Sequence, residues 1–268
     1  MNRIAAKFDE IKRDERKGFI PFVTAGDPDL ETSLDIVLTL AECGADVIEL
    51  GVPFSDPMAD GPTIQRSSAR ALAGGTSFHD VLDLSAKIRE RTDIPLVLFT
   101  YFNPFLRFGI EEFCRTDSGI DGVLLTDVIE DEADLISCQL GDNGIDLISL
   151  AAPTTTDQRL KKICTDGRGF IYVVSRAGVT GAQRDTSSEA KALVARVRQF
   201  TELPVAVGFG ISTAEQVADV WRYADAAVVG SAIVSEIEHA QNAGDAVRRV
   251  EEIVGRLLPQ FAKTSGEN

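Results

Sequence analysis

One stretch of the chain brings two carboxylates close together in sequence but sets them in different company. In DVIELGVPFSDPMADGP, residues 46–62, Glu49 interrupts the apolar run of Val47, Ile48 and Leu50, and Asp60 follows in an acidic, proline-rich loop. Side chains alternate along a strand, so Val47, Glu49 and Gly51 share one face and Ile48 and Leu50 the other. Wedged among apolar neighbours, an unpaired Glu49 costs several kcal/mol. Facing a partly dry cleft, it gains a raised pKa and becomes suited to pass protons at neutral pH. A structural glutamate paired with a nearby arginine is the other reading. Asp60, beside Gly61 and Pro62, also fits a turn or a helix N-cap, with Pro62 opening the next helix. Asp56 in SDP fits a turn in the same way.

Three glycine-bearing turns lie late in the chain: SRAGVTG at 175–181, GFGIS at 208–212 and GSAIV at 230–234. Glycines let backbone N–H groups approach an anion, and a helix N-terminus adds favourable charge. Ser212 and Ser231 are placed to cap short helices there. His79 and His239 sit in polar helical contexts that favour the surface. No His/Cys/carboxylate spacing suits zinc. No GxSxG, GKS/T or Ser-His-Asp arrangement is present. Trp221 reads as packing, and EEFCRTD as a solvated helix face.

The elements that must hold these groups form a rhythm. Short β-branched apolar runs occupy 19–23, 46–52, 95–100, 121–126, 145–151, 169–175, 203–208 and 224–230. Helical-period segments separate them. Near-continuous hydrophobicity marks parallel strands buried on both faces. Strand–helix alternation on this scale predicts one (β/α)8 TIM barrel domain over residues 1–268. In such barrels active sites lie at the C-terminal strand ends, and phosphate is often held by the loops after strands seven and eight. A doubly wound open sheet is the alternative, but TAGDP after the first strand is not a GxGxxG fingerprint. The second and third runs begin at 46 and 95, which leaves room for an insertion after strand 2 with a helix around PTIQRSSARALAGG. Ile4, Phe8 and Ile11 at helical spacing predict an extra N-terminal helix that closes the barrel bottom. The tail KTSGEN reads as frayed.

Composition narrows the partners. The chain of 268 residues carries a net charge of -15 and is 44% hydrophobic. That acidity argues against sequence-independent binding to nucleic acid or an anionic membrane. It permits an anionic substrate at a local site. The four cysteines, Cys43, Cys114, Cys138 and Cys164, form no CxxC pair and read as reduced thiols in or near the core. The charged N-terminus is unlike a signal peptide, and no apolar run approaches the ~20 residues that span a bilayer. A cytoplasmic protein is expected.

FIPFVTAGDP, DVIELGVPFSDPMADGPTIQ, YVVSRAGVTGA, and VGFGIS with GSAIV together resemble the tryptophan synthase alpha-subunit family, in order and along essentially the whole chain. The resemblance implies a (β/α)8 lyase that performs retro-aldol cleavage of indole-3-glycerol phosphate to indole and glyceraldehyde 3-phosphate. It gives Glu49 the general acid/base role, Asp60 the carboxylate at the indole N–H, and Tyr172 a place beside Glu49. It puts Phe22, Ile64, Phe99, Leu124 and Phe209 around the indole, and Gly181, Gly210, Gly230 and Ser231 on the phosphate turns. Thr180 matches a loop threonine that orients Asp60. Pro53, Asp56, Pro57 and Asn103 match positions that face a pyridoxal-phosphate beta subunit in an alpha-beta-beta-alpha heterotetramer. No cofactor is implied in this chain itself. The sequence departs from the family after the fourth strand, where Ile129 replaces a common proline.

Three rivals remain open at this point: a stand-alone indole-3-glycerol phosphate lyase, a barrel that mainly binds and activates a partner, and an unrelated phosphate-binding barrel such as a sugar-phosphate isomerase. Fold-level analogy alone does not separate them.

Overall fold

The computed structural model describes residues 2–128, 130–174, 186–208 and 210–258. Eight parallel strands close into a barrel in chain order. They are β1 (Gly18–Thr24), β2 (Ile48–Gly51), β3 (Leu96–Thr100), β4 (Gly122–Leu125), β5 (Asp146–Ala151), β6 (Ile171–Val174), β7 (Val205–Gly208) and β8 (Ala226–Val229). Each falls inside or within one residue of a run expected from the sequence. The helices are α1 (Arg3–Arg13), α2 (Leu30–Glu42), α3 (Pro62–Ala73), α4 (Phe78–Arg89), α5 (Phe102–Phe108), α6 (Ile110–Arg115), α7 (Glu130–Asp142), α8 (Asp157–Asp166), α9 (Thr186–Val197), α10 (Ala214–Val220), α11 (Ser231–Glu238) and α12 (Ala243–Leu257).

Strand alternation sorts the core into two bodies. Ile48, Leu50, Leu96 and Leu98 pack outward against the helices. Val47, Val97, Phe99, Ile148 and Phe170 point inward and fill the barrel. The inner face of β2 therefore carries Glu49, because its neighbours Ile48 and Leu50 are committed to the outer body. α1 lies across the N-terminal strand ends. Its Ile4, Phe8 and Ile11 are buried there, and Phe8 packs on Phe170 with ring centroids 5.5 Å apart. Asn2 caps α1 by accepting from Ile4 N–H, and donates to the carbonyls of Asp121 and Gly144.

The insertion after β2 holds α3, which opens with Pro62 at its first turn and Gly61 as N-cap. Asp60 is thus not the cap. α4 follows with a capping box between Ser77 and Asp80. In α6, Glu111 and Glu112 face solvent while Phe113 beneath them is fully buried. His79 and His239 are exposed, and His79 packs edge-on against Phe108. Trp221 packs against the outer body and donates its indole N–H to Gly18 O at 2.9 Å. None of the four cysteines is in a disulfide. Cys164 is buried and Cys43 and Cys114 half-buried, but Cys138 is exposed, which corrects its expected place near the core. Ile129 and the tail lie outside the described residues.

The N-terminal strand ends share a fastening. Asp46 accepts from Phe19 N–H at 2.9 Å and from Arg16 at 2.7 Å. Asp121 accepts from Leu96 N–H at 2.9 Å, from Arg89 at 2.8 Å and from Arg3 at 3.0 Å. Asp225 accepts from Val205 N–H at 2.7 Å and pairs with Arg198. Each aspartate joins the start of one strand to the start of its neighbour through a backbone bond and a guanidinium. Among the described residues no helix is long and apolar enough to cross a membrane.

Candidate active site

A cavity of about 640 Å³ opens at the C-terminal end of the barrel. Its floor and walls come from inward positions at the tops of several strands: Phe22 on β1, Glu49 on β2, Phe99 on β3, Tyr172 on β6 and Val228 on β8. The loop after β2 forms one side, from Met58 to Ile64, and Gly210, Gly230 and Ser231 form another. The rings of Phe22 and Phe99 meet edge to face at 5.1 Å. This gives a flat apolar slot with polar groups at its margins. Two glycines keep it open. A Cβ on Gly51 would stand 2.5 Å from the Phe22 ring, and one on Gly208 2.1 Å from the Tyr172 hydroxyl.

Glu49 is 1% exposed, and its Oε1 finds no hydrogen-bond partner among the described residues. Loss of water penalises the charged form, and burial pushes its pKa up to about 8. Asp60 is 8% exposed. Burial raises its pKa to about 6, against a hydrogen bond from the Tyr101 hydroxyl, 3.0 Å away, that favours the carboxylate. The two carboxyls share one cavity in different protonation states near neutral pH. Tyr172 lines the same cavity. Its hydroxyl is held well above its ordinary pKa, first by burial and then by the fields of Glu49 and Asp60.

Tyr101 went unnoticed in the sequence. It follows β3 directly, so the strand-end rule that found Glu49 points to it as well. Its hydroxyl donates to Asp60 and accepts from Ala59 N–H at 2.9 Å, and its ring packs on Phe54 at 5.1 Å. Leu150, Val174 and Thr126 also line the cavity without having been singled out.

The glycine turns divide. α11 begins at Gly230 without a side-chain cap, which leaves its first N–H groups facing the cavity mouth beside Ser231. Ser231 is the first helical residue and caps nothing. α10 is capped by Thr213, not Ser212, and Gln216 takes the N–H groups of both Ser212 and Thr213. An anion therefore finds free donors at α11 and occupied ones at α10. Leu124 is fully buried in the inner body beside Phe99 and does not line the cavity. Thr180, Gly181 and Phe209 lie outside the described residues. On the outer surface, Asp56 and Asn103 are exposed and Pro57 is half-buried, whereas Pro53 is buried. Met58 stands 84% exposed in the same loop, with exposed Leu106 on α5. Among the described residues no cluster of His, Cys, Asp and Glu is arranged to hold a metal ion.

Known proteins share this architecture. The family model described as tryptophan synthase alpha chain matches residues 8–261. The tryptophan synthase alpha chain of Thermoanaerobacter sp. strain X514 is 45% identical over 260 residues, covering 96% of this chain and 98% of the relative. That of Geobacter sulfurreducens is 48% identical over 240 residues, covering 89% and 91%. The crystal structure of tryptophan synthase subunit alpha from Legionella pneumophila superposes with a TM-score of 0.89 at 35% identity, covering 97% of this chain and 98% of that one. A chain of Mycobacterium tuberculosis tryptophan synthase gives 0.87 at 34% identity, covering 97% and 98%.

Proposed function

The chain belongs to the tryptophan synthase alpha chain family, and from that premise we propose that Glu49 and Asp60 divide the proton transfers of the family's reaction between them. The chain is a carbon–carbon lyase of tryptophan biosynthesis. It cleaves indole-3-glycerol phosphate to indole and D-glyceraldehyde 3-phosphate.

The observation that carries the assignment is Glu49: a carboxyl wholly buried at the cavity floor, with no hydrogen-bond partner at Oε1 among the described residues, and with its pKa pushed by burial to about 8. Glu49 delivers its proton to indole C3, and positive charge spreads to the ring nitrogen. Asp60, ionised at pH 7, faces that nitrogen and takes up its proton. The Glu49 carboxylate then removes the proton of the glycerol hydroxyl next to the ring. The oxygen's electron pair forms the aldehyde, the C3–C bond breaks, and its electrons return to the ring as Asp60 gives the nitrogen proton back. Glu49 ends as it began, protonated. Positioned acid/base groups of this kind contribute about 10²–10⁴-fold each.

On this reading the slot between Phe22, Phe99 and Ile64 takes the indole ring, with Leu124 backing the wall from below. Phe209 belongs to the same wall. The phosphate sits at the α11 N-terminus on Gly230 and Ser231, with Gly210 and Gly181 alongside, and Thr180 orients Asp60. Tyr172 packs beside Glu49 and keeps water from it. The partner is a tryptophan synthase beta subunit in an alpha-beta-beta-alpha assembly. It docks on the side of Asp56, Pro57 and Asn103, and Pro53 braces that loop from within. Pyridoxal phosphate belongs to the partner, and the cytoplasm is the compartment.

Indole release from indole-3-glycerol phosphate by the purified chain tests the proposal, with and without a beta subunit, beside Glu49→Gln. Slow release that the partner accelerates and the variant abolishes is the expected result. Equal rates for Glu49→Gln and wild type would refute the assignment. Fast release without the partner would replace the coupled subunit with a stand-alone lyase.

A further inference from the structure

The acidic turn after β1, in TAGDP, takes no part in the chemistry above. Its Asp27 is only 2% exposed and meets a guanidinium fork. Arg70 of α3 donates to both its oxygens, Nε to Oδ1 at 2.8 Å and Nη2 to Oδ2 at 2.7 Å. The remaining arm of the fork reaches Glu238 at the end of α11, with Nη1 to Oε1 at 3.0 Å. Arg66, one turn earlier on the same helix face, grips the two oxygens of Glu238 at 2.6 and 2.7 Å. That outer pair is exposed and screened by water. The Asp27 pair, with its carboxylate buried and Arg70 partly exposed, is bidentate and charge-assisted and holds its geometry firmly.

The three elements joined in this way are those that bring reacting groups to the cavity. The β1 turn continues the strand that carries Phe22. α11 begins at Gly230 and Ser231. α3 follows directly on Asp60, and its first turn holds the backbone there: the Gln65 side-chain amide donates to Asp60 O at 2.9 Å. Rotation or sliding of α3 therefore displaces the Asp60 carboxylate relative to the α11 N-terminus. The cavity has to match one substrate at both places.

We propose that Arg70 is a positioning residue for the lyase reaction: its clamp on Asp27 and Glu238 fixes α3, and through Gln65 the Asp60 carboxylate, at a set separation from the anion-binding start of α11. This rests on the reading of Asp60 as the carboxylate at the indole nitrogen. Arg70 touches no substrate and acts through Asp60.

The test is a double-mutant cycle on the full chain with its beta subunit present, measuring kcat and KM for indole-3-glycerol phosphate. Arg70→Met is expected to lower kcat by about 10-fold or more, because a displacement near 1 Å costs up to about 10²-fold. KM changes less. Arg70→Lys recovers part of the rate, since an ammonium keeps the charge but not the fork. Combined with Asp60→Asn, Arg70→Met costs less than about 2-fold further, because a group that acts through Asp60 has nothing left to act on. An equal loss in both backgrounds, or an unchanged kcat in Arg70→Met, overturns the proposal. Wild-type activity in Asp60→Asn alone would instead overturn the reading of Asp60. Arg70→Met leaves Asp27 buried and unpaired, so two variants guard against simple misfolding. Asp27→Asn with Arg70→Met removes both charges and is expected to keep the kcat defect. Glu238→Ala releases the α11 end from both Arg66 and Arg70 and is expected to lower kcat about 3-fold with the circular dichroism spectrum unchanged. If both guards give wild-type kcat, Arg70 has no positioning role.

Discussion

Asp121 at the bottom of the barrel and Glu49 at the top are buried to nearly the same degree, yet their surroundings are opposite. Asp121 accepts from a backbone N–H and from two arginines. Asp46 and Asp225 repeat the pattern with one arginine each. Among the described residues, one oxygen of Glu49 has no partner, and Asp60 receives one side-chain hydrogen bond, from a neutral hydroxyl. A carboxylate with saturated oxygens is held in place and stays out of chemistry. One stripped of water and left short of partners keeps its proton to higher pH and can hand it on. The bottom rim joins neighbouring strands, whereas the top rim holds groups ready to react.

The sharpest way to break this comparison is to swap the expected phenotypes. Glu49→Gln should lower kcat by at least ~10²-fold without lowering the thermal midpoint. Asp121→Ala should do the reverse. It strands Arg89, half-buried beneath the barrel, and should destabilise by about 3–5 kcal/mol in chemical denaturation, with kcat kept at temperatures where the chain stays folded. A large loss of stability in Glu49→Gln would mean that both rims do the same work.

pH separates the top pair from each other. With Asp60 near 6 and Glu49 near 8, kcat/KM should be bell-shaped. It falls below about 6 as Asp60 gains a proton, and above about 8 as Glu49 loses its own. Stability follows one limb. The folded pKa of Glu49 is raised above its unfolded value of 4.5, so its contribution to stability is fully present below 4.5 and is lost as pH rises through about 8. The midpoint of wild type relative to Glu49→Gln should therefore drop between pH 5 and 9. A constant difference would contradict the burial of an unpaired carboxyl.

A smaller effect sharpens the role of Tyr101. Its hydroxyl favours the Asp60 carboxylate, so Tyr101→Phe should move the acidic limb of the kcat/KM profile to higher pH and leave the alkaline limb alone. Movement of the alkaline limb would tie Tyr101 to Glu49 instead. The smallest effect belongs to the outer surface. Arg248 on α12, itself exposed, pairs with Asp245 and Glu252, and Arg248→Ala should leave both the denaturation midpoint and kcat unchanged.

Much of this was legible in the chain because parallel strands advertise themselves. All eight strands show as apolar runs, and eight strand–helix units leave a closed barrel as the economical arrangement. The orientation of Glu49 was legible too, since Ile48 and Leu50 must face the helices. Pairings between distant loops were not. Asp60 meets Tyr101 only because the loops after β2 and β3 fold toward each other, and Arg70 meets Asp27 and Glu238 only in the finished barrel. The strand-start aspartates carry no signal of their own until strand pairing brings each beside its neighbour. Depth was hidden as well. Leu124 lies opposite Phe99, yet the stagger of tilted strands leaves it beneath the cavity. At α10, the cap fell to Thr213 rather than Ser212, a choice made by the reach of Gln216.

The plug formed by α1 has a consequence for traffic. Ile4 packs against Ile148 at the strand starts, Phe8 against Phe170, and the inward side chains above them fill the barrel. Among the described residues the barrel is filled below the cavity, which opens at a door bordered by the loop of Met58 and the start of α11. On the proposed reading, a phosphorylated product held at the start of α11 stands in that door and departs first or blocks the way. A protein seated over the door thereby takes charge of the order of departure as well as the destination.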